Sequence, residues 1–247
     1  MQLTVIGCGD AFGSGGRLQS AYLIEVAGRK VLLDCGASTM IGIDNLGIDA
    51  NAIDTVLISH LHGDHFSGLV WMTLSAQFAS NRTTPLRLIG PPSIAHRYEA
   101  AAEILFPGMT RVKRAFDLEF VEITEAKPYA DADLKVRAFE VRHPSGAPSH
   151  ALRIAAGGRV LAFSGDTEWV DALLDCAAGA DLFLTECCSV ERPIKFHLDW
   201  RTIEQNLPRL TAGRMMLTHM NADMLDFAPS IRSPTILIAE DGLKLSI

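Results

Sequence analysis

The sequence predicts an α+β fold of four layers, αββα, in which two β-sheets pack face to face and helices cover their outer sides. Three observations predict it. Short β-rich runs recur through both halves of the 247 residues, and helical periods fall between them in both halves. No linker rich in Pro, Gly or Ser divides the chain, so residues 1–247 read as a single domain, long enough to bury a sizeable core.

The elements follow in order. Leu3–Ile6 reads as the first strand, and Gly7–Gly16, with five glycines, as a tight loop. Ala21–Val26 and Lys30–Leu33 flank the turn Ala27-Gly28-Arg29. Asp54–Ser59 is a β-rich run that ends directly in a histidine cluster. Phe66–Ala79 carries Leu69, Trp71, Met72 and Phe78 at helical spacing. Leu86–Ile89 is a strand stopped by Gly90-Pro91-Pro92, and Ser93–Leu105 a helix with Ser93 as its N-cap. Leu118–Ile123, Leu134–Val141, Ala151–Ala155 and Arg159–Ser164 are strands, Val170–Ala177 a helix, Asp181–Thr185 a strand and Arg201–Leu210 a helix. Met215–Thr218 is a strand that delivers His219. Thr235–Ala239 and Leu243–Ile247 are expected to form a closing hairpin around Asp241-Gly242.

Composition narrows the class. With 48% hydrophobic and 21% charged residues the chain reads as an ordinary soluble globular protein. Its net charge of −7 disfavours sequence-blind adhesion to nucleic acid or to an anionic membrane. No run approaches the roughly 18–20 apolar residues of a membrane span, and Met1–Gly7 lacks the basic start of a signal peptide. Five cysteines, an odd number with an adjacent pair and no Cys-x-x-Cys, favour reduced thiols in a cytoplasmic protein and argue against a thiolate zinc site.

Chemistry concentrates in His60-Leu61-His62-Gly63-Asp64-His65, where four potential ligands sit within six residues. Imidazole and carboxylate are the donor set of zinc and similar divalent ions. A strand ends at Ser59 and a helix begins near Asp64, so His60 and His62 can face one side of the turn while Asp64 and His65 face the other. That arrangement suits two adjacent metals. A polar turn that merely contains histidines is the bland reading, yet three of the chain's eight histidines fall here.

His-x-His-x-Asp-His after a strand resembles the signature of the metallo-β-lactamase superfamily. Leu32-Leu33-Asp34-Cys35-Gly36, Ser164-Gly165-Asp166-Thr167 and Leu217-Thr218-His219 resemble its later motifs. The resemblance covers nearly the whole chain and implies the metallo-β-lactamase form of the αββα sandwich. It further implies two divalent metal ions, zinc (Zn2+) by default, with Mn2+ or Fe left open by the ligand types. His60, His62 and His143 would hold one ion and Asp64, His65 and His219 the other, with Asp166 joining both. His150, seven residues after His143, rivals it; His143 is favoured because it ends a strand. Two such ions leave room for a bridging hydroxide as nucleophile, which Asp64 would help orient. Asp34 is either an acceptor for a ligand histidine's second N–H or a loop-capping aspartate.

His197 separates branches of the superfamily. It lies 22 positions before His219 (219 − 197), ahead of the helix Arg201–Leu210 and the strand Met215–Thr218. This resembles the ribonuclease Z and small-molecule phosphodiesterase branch, in which a histidine outside the metal shell assists at the phosphoryl group. Ile238-Ala239-Glu240-Asp241-Gly242 resembles the ending of the same branch. Two features depart: no glycine- and proline-rich arm for gripping tRNA is present, and Phe196 stands where the branch has glycine or a small residue.

The expected substrate is a small-molecule or nucleotide phosphodiester, with RNA left open. No membrane partner is expected; the oligomeric state is not readable from the sequence, although the resembling branch often forms homodimers. Two alternatives are carried: a lactone or thioester hydrolase of the same fold, in which His197 has no evident role, and a non-catalytic metal-holding scaffold or binding protein. The Gly7–Gly13 loop lies near the site in related proteins. Arg111-Val112-Lys113-Arg114 reads as a solvated face, Cys187 and Cys188 beside Glu186 as buried thiols, and His96, Trp71 and Met72 as structural.

Overall fold

Both faces of most strands are apolar, and this decides the layering. In the computed structural model, which describes residues 1–191 and 194–247, the chain runs through β1 (Gln2–Gly7), β2 (Ala21–Val26), β3 (Arg29–Leu33), β4 (Thr55–Leu57), β5 (Leu86–Gly90) and β6 (Leu118–Glu122). It continues through β7 (Tyr129–Ala130), β8 (Leu134–Val141), β9 (Ser149–Ala156), β10 (Arg159–Phe163), β11 (Leu182–Glu186), β12 (Arg214–Thr218), β13 (Ile236–Ile238) and β14 (Lys244–Ser246). The helices are α1 (Thr39–Asn45), α2 (Gly63–Phe66), α3 (Gly68–Phe78), α4 (Ile94–Leu105), α5 (Ala172–Ala177), α6 (Trp200–Asn206) and α7 (Ala222–Phe227).

Among the described residues the strands form two seven-stranded sheets, ordered β14-β1-β2-β3-β4-β5-β6 and β13-β12-β11-β10-β9-β8-β7. Side chains alternate across each strand with period two. Thus Tyr22, Ile24, Val31 and Leu33 enter the core between the sheets, where Leu152, Leu161, Phe163 and Leu184 of the second sheet meet them. Their sequence neighbours Leu23 and Leu32 point outward under Leu69, Val70, Ile94 and Tyr98 of α3 and α4. The outer face of the second sheet is covered by Leu173, Ile203 and Met224 of α5, α6 and α7. Helices therefore lie outside two stacked sheets, as the sequence predicts.

Several expectations need correction. Thr235–Ala239 and Leu243–Ile247 do not form a hairpin: β13 pairs in parallel with β12, and β14 pairs antiparallel with β1 in the other sheet. The turn between them is a crossover, tied down by Asp241, whose carboxylate accepts from Cys8 N at 3.0 Å and Leu18 N at 2.7 Å. Ser93 does not cap α4. It takes a left-handed φ of 73° with no side-chain cap. The helix from Phe66 is broken at Ser67 into α2 and α3, and α1 and α7 carry no clear signal in the sequence. The cysteines are all buried and free. No helix among the described residues is long and apolar enough to cross a membrane.

Asp241 satisfies two backbone donors while joining the two sheets. Asp241→Ala is expected to lower unfolding free energy by about 1–3 kcal/mol, the cost of leaving such groups unpaired, measured by urea denaturation.

Candidate metal centre

The candidate ligands are delivered by strand ends that meet at one rim of the sandwich. β3 and β4 run parallel. Past their ends Asp34 N donates to Leu57 O at 2.8 Å, and Cys35 N donates to His65 O at 2.6 Å. Gly36 must be glycine here, because a Cβ would stand 2.3 Å from the Asp64 carbonyl oxygen. His62 is extended (φ −79°, ψ 151°) and α2 starts at the next residue, which puts His60 and His62 before the helix and Asp64 and His65 on its first turn. From the second sheet, His143 follows β8, Asp166 follows β10 and His219 follows β12.

These residues converge. One ligand group comprises His60, His62 and His143, and another Asp64, His65, Asp166 and His219, with the donor atoms of each within 4.8 Å of one another. His143 Nε2 faces His62 Nδ1 at 2.8 Å. Asp64 Oδ2 lies 3.3 Å from His65 Nε2 and 3.2 Å from His219 Nε2. Asp166 reaches both groups: Oδ1 is 3.3 Å from His65 Nε2, and Oδ2 is 3.4 Å from His219 Nε2, 3.9 Å from His143 Nε2 and 4.0 Å from His60 Nε2. His150 stays apart. It is buried on β9 and belongs to neither group, whereas His143 does.

Hydrogen bonds on the far side of the rings aim them. Asp34 accepts from His65 Nδ1 at 2.7 Å, from Ser59 N at 2.8 Å and from Ser59 Oγ at 2.8 Å. Because Ser59 Oγ donates to Asp34, its lone pair receives His60 Nδ1, 3.0 Å away. His143 Nδ1 donates to Phe196 O at 2.9 Å. In all three rings the outward bond commits the Nδ1–H and leaves Nε2 facing the centre. Both roles considered for Asp34 are thus filled by the same carboxylate.

Burial is the largest influence on His60, Asp64, His65, His143, Asp166, His197 and His219. It prevails at His60 and His143, whose imidazoles lie below the ordinary value, and at His197. At His65 the charges of Asp166 and Asp64 overcome it and raise the ring well above the ordinary value. At His219 Asp166 and the Asp64 hydrogen bond push it up to about 9. In return, and against burial, Asp64 and Asp166 are held well below the usual carboxylate range by His65 and His219.

Two observations test whether cations fit. His60 and His65 are completely buried, yet their Nε2 atoms find no hydrogen-bond partner, a costly arrangement unless something else sits between them. The donors are imidazole and carboxylate throughout, the set suited to divalent cations. The residues therefore fit divalent metal.

One contributor escaped the sequence reading. Glu186 at the end of β11 is buried and pairs with His197 Nδ1 at 2.9 Å, while its other oxygen accepts the Thr167 N–H. Burial and the neighbouring Asp166 charge hold its carboxyl well above the ordinary value. Its signal was its place at a strand end, parallel to the two strands that deliver Asp166 and His219. Phe196, the departure noted in the sequence, has a left-handed φ of 68°. Glycine takes that conformation without strain, whereas phenylalanine holds it at a cost.

Asp34 orients two rings at once. Asp34→Ala is expected to weaken metal binding about 10–100-fold, read by chelator competition.

The chain resembles known proteins over its full length. It is 26% identical to the ribonuclease Z of Anoxybacillus flavithermus, over all of this chain and 97% of that one. It is 29% identical to the ribonuclease Z of Lachnoclostridium phytofermentans over 65% of this chain, where it spans only about half (51%) of the relative's length. Among solved structures, human tRNase Z, short form, superposes with a TM-score of 0.81 at 23% identity, covering 100% of this chain and 99% of that chain. The metallo-β-lactamase fold protein YhfI from Bacillus subtilis gives 0.80 at 20% identity, covering 99% and 98%. The sequence pattern of the family described as Anti-Pycsar protein Apyc1 matches residues 1–240. The chain therefore belongs to that family, within the ribonuclease Z-like branch of the metallo-β-lactamase superfamily.

Proposed function

We propose that this protein is a dinuclear metal-dependent phosphodiesterase acting on a small-molecule or nucleotide phosphodiester. His60, His62 and His143 would hold one cation, Asp64, His65 and His219 the other, and Asp166 both. Zinc is the ion this histidine-rich set favours, with manganese and iron as the alternatives to test. Such a pair activates water near neutral pH and neutralises charge on phosphoryl oxygens.

His197 is the observation that carries the reading. Its ring stacks on His219 with centroids 5.7 Å apart and an 11° tilt, and its Nδ1 is engaged by Glu186 at 2.9 Å. With Glu186 paired to Nδ1, the Nε2 edge is left free for a leaving oxygen. It carries the proton to donate there when Nδ1 accepts from the Glu186 carboxyl, which is held well above the ordinary value, so Glu186 acts through His197 as a positioning residue. An ester or thioester hydrolase would have no evident use for this pair.

The cavity favours a small substrate. It encloses about 460 Å³, is lined by His62, Asp64, His143, Asp166, His197 and His219 among others, and has no Lys or Arg among its described lining residues. Asp10 and Asp223 also line it. A long RNA draws its affinity from cationic side chains on phosphates, and none of the described lining residues supplies one. A homodimer belongs to the same reading: exposed Phe78, Leu105 and Val112 share one apolar hollow that a second copy would cover.

Zinc-loaded protein is expected to hydrolyse bis(4-nitrophenyl) phosphate, to lose that activity on chelation and to regain it with added zinc. Turnover of lactones or thioesters without diester cleavage would sink the proposal. His197→Ala should lower kcat about 100-fold or more while both metals stay bound, as measured by metal analysis alongside kinetics. Full turnover in that variant removes its role.

A further inference from the structure

Phe12 is the most exposed large apolar side chain among the described residues, at 93%, and it lines the same cavity as the candidate ligands. An exposed aromatic on a loose loop would mean little. This loop is not loose. The Asp10 carboxylate accepts from Phe12 N at 3.1 Å, Ser14 N at 2.9 Å and Ser14 Oγ at 2.7 Å. Gly13 turns the chain at a φ of 68°, and Gln19 Nε2 donates to Ala11 O at 3.1 Å. Gly9 bridges to both Gln19 and Met220, and Asp241 holds Cys8 and Leu18 at the loop's two ends. The ring is presented to the cavity by a rigid turn.

Aromatic faces stack on planar groups of any identity, and stacking needs no charge. The cavity matches that chemistry: Phe12 and Ile194 supply apolar lining beside the cluster of acids and imidazoles, and no described cation lines it. We infer that Phe12 is the stacking face for a planar ring, nucleobase or aryl, carried by the substrate beside the scissile phosphate. The placing of the phosphate rests on the phosphodiesterase reading; the stacking can be measured without turnover.

The test uses zinc-loaded full-length protein, with Phe12→Ala and Phe12→Trp as variants. Calorimetry compares adenosine 5′-monophosphate, phenyl phosphate and methyl phosphate. Steady-state kinetics of bis(4-nitrophenyl) phosphate separates KM from kcat, and the ring-free control is methyl phosphate binding. Phe12→Ala is expected to weaken the ring-bearing ligands by roughly tenfold and raise KM for the aryl diester similarly, with kcat little changed. Methyl phosphate should be unaffected, and Phe12→Trp should restore binding of the ring-bearing ligands. Comparison of the nucleotide with phenyl phosphate tells a nucleobase from a simple aryl ring. Equal weakening of ring-bearing and methyl ligands, no weakening of either, or failure of the wild type to bind a ring-bearing ligand more tightly overturns the inference. So does a Phe12→Ala protein that turns monomeric with unchanged affinities, since the ring then belongs to an interface. Phe12-dependent binding without diester cleavage would instead overturn the phosphodiesterase reading and leave the stacking inference standing.

Discussion

Everything at the centre depends on one buried carboxylate. Asp34 has no solvent exposure, and burial alone pushes its carboxyl up. It stays in place because three donors converge on it: the Ser59 backbone, the Ser59 hydroxyl and the His65 ring. A charge taken out of water is tolerated only when its hydrogen-bonding capacity is filled. Filling it fixes the hydroxyl of Ser59, which then fixes the tautomer of His60. Two ligand-type rings are aimed from one anchor, and the anchor sits where β3 and β4 end side by side.

The second requirement is electrical. Asp64 and Asp166 lie within a few ångströms of each other's imidazole partners, among side chains that are largely buried. Their combined negative field is what raises His65 and His219 against burial. Protons on those two rings and divalent cations between them answer the same field. Cations answer it better, because they also give His60 Nε2 and His65 Nε2 a partner.

How much of this was legible depended on whether a feature was local. His60 to His65 could be read because four donors fall within one turn at a strand end, and Asp166 and His219 because each follows a short apolar strand. His143 was separated from His150 by the same strand-end logic, and the geometry groups it with His60 and His62. What could not be read was partnership across the chain. Glu186 stands next to two cysteines in sequence and reveals its use only once β11 lies between β10 and β12. The tail looked like a hairpin since Asp241-Gly242 is a common turn pair. Whether its strands pair with each other or divide between two sheets is decided by β12 and β1, about 20 and more than 200 residues away in the chain.

Of the six described non-glycine residues with a left-handed φ, three lie at the site. Asp34, Phe196 and His219 all take left-handed φ values, at 55°, 68° and 56°. Each such non-glycine residue costs on the order of 1 kcal/mol and persists only where the surroundings over-determine it. Each is pinned: Asp34 by its three donors, Phe196 by the His143 ring on its carbonyl, His219 by its N–H to Cys8 O at 3.0 Å. The bend at His219 turns its side chain out of β12 towards Asp64. The bend at Phe196 presents its carbonyl to His143 while the next residue, His197, reaches Glu186. Relaxing either conformation would remove an orienting hydrogen bond from a ring at the centre, so the strain and the convergence of ligands have one cause.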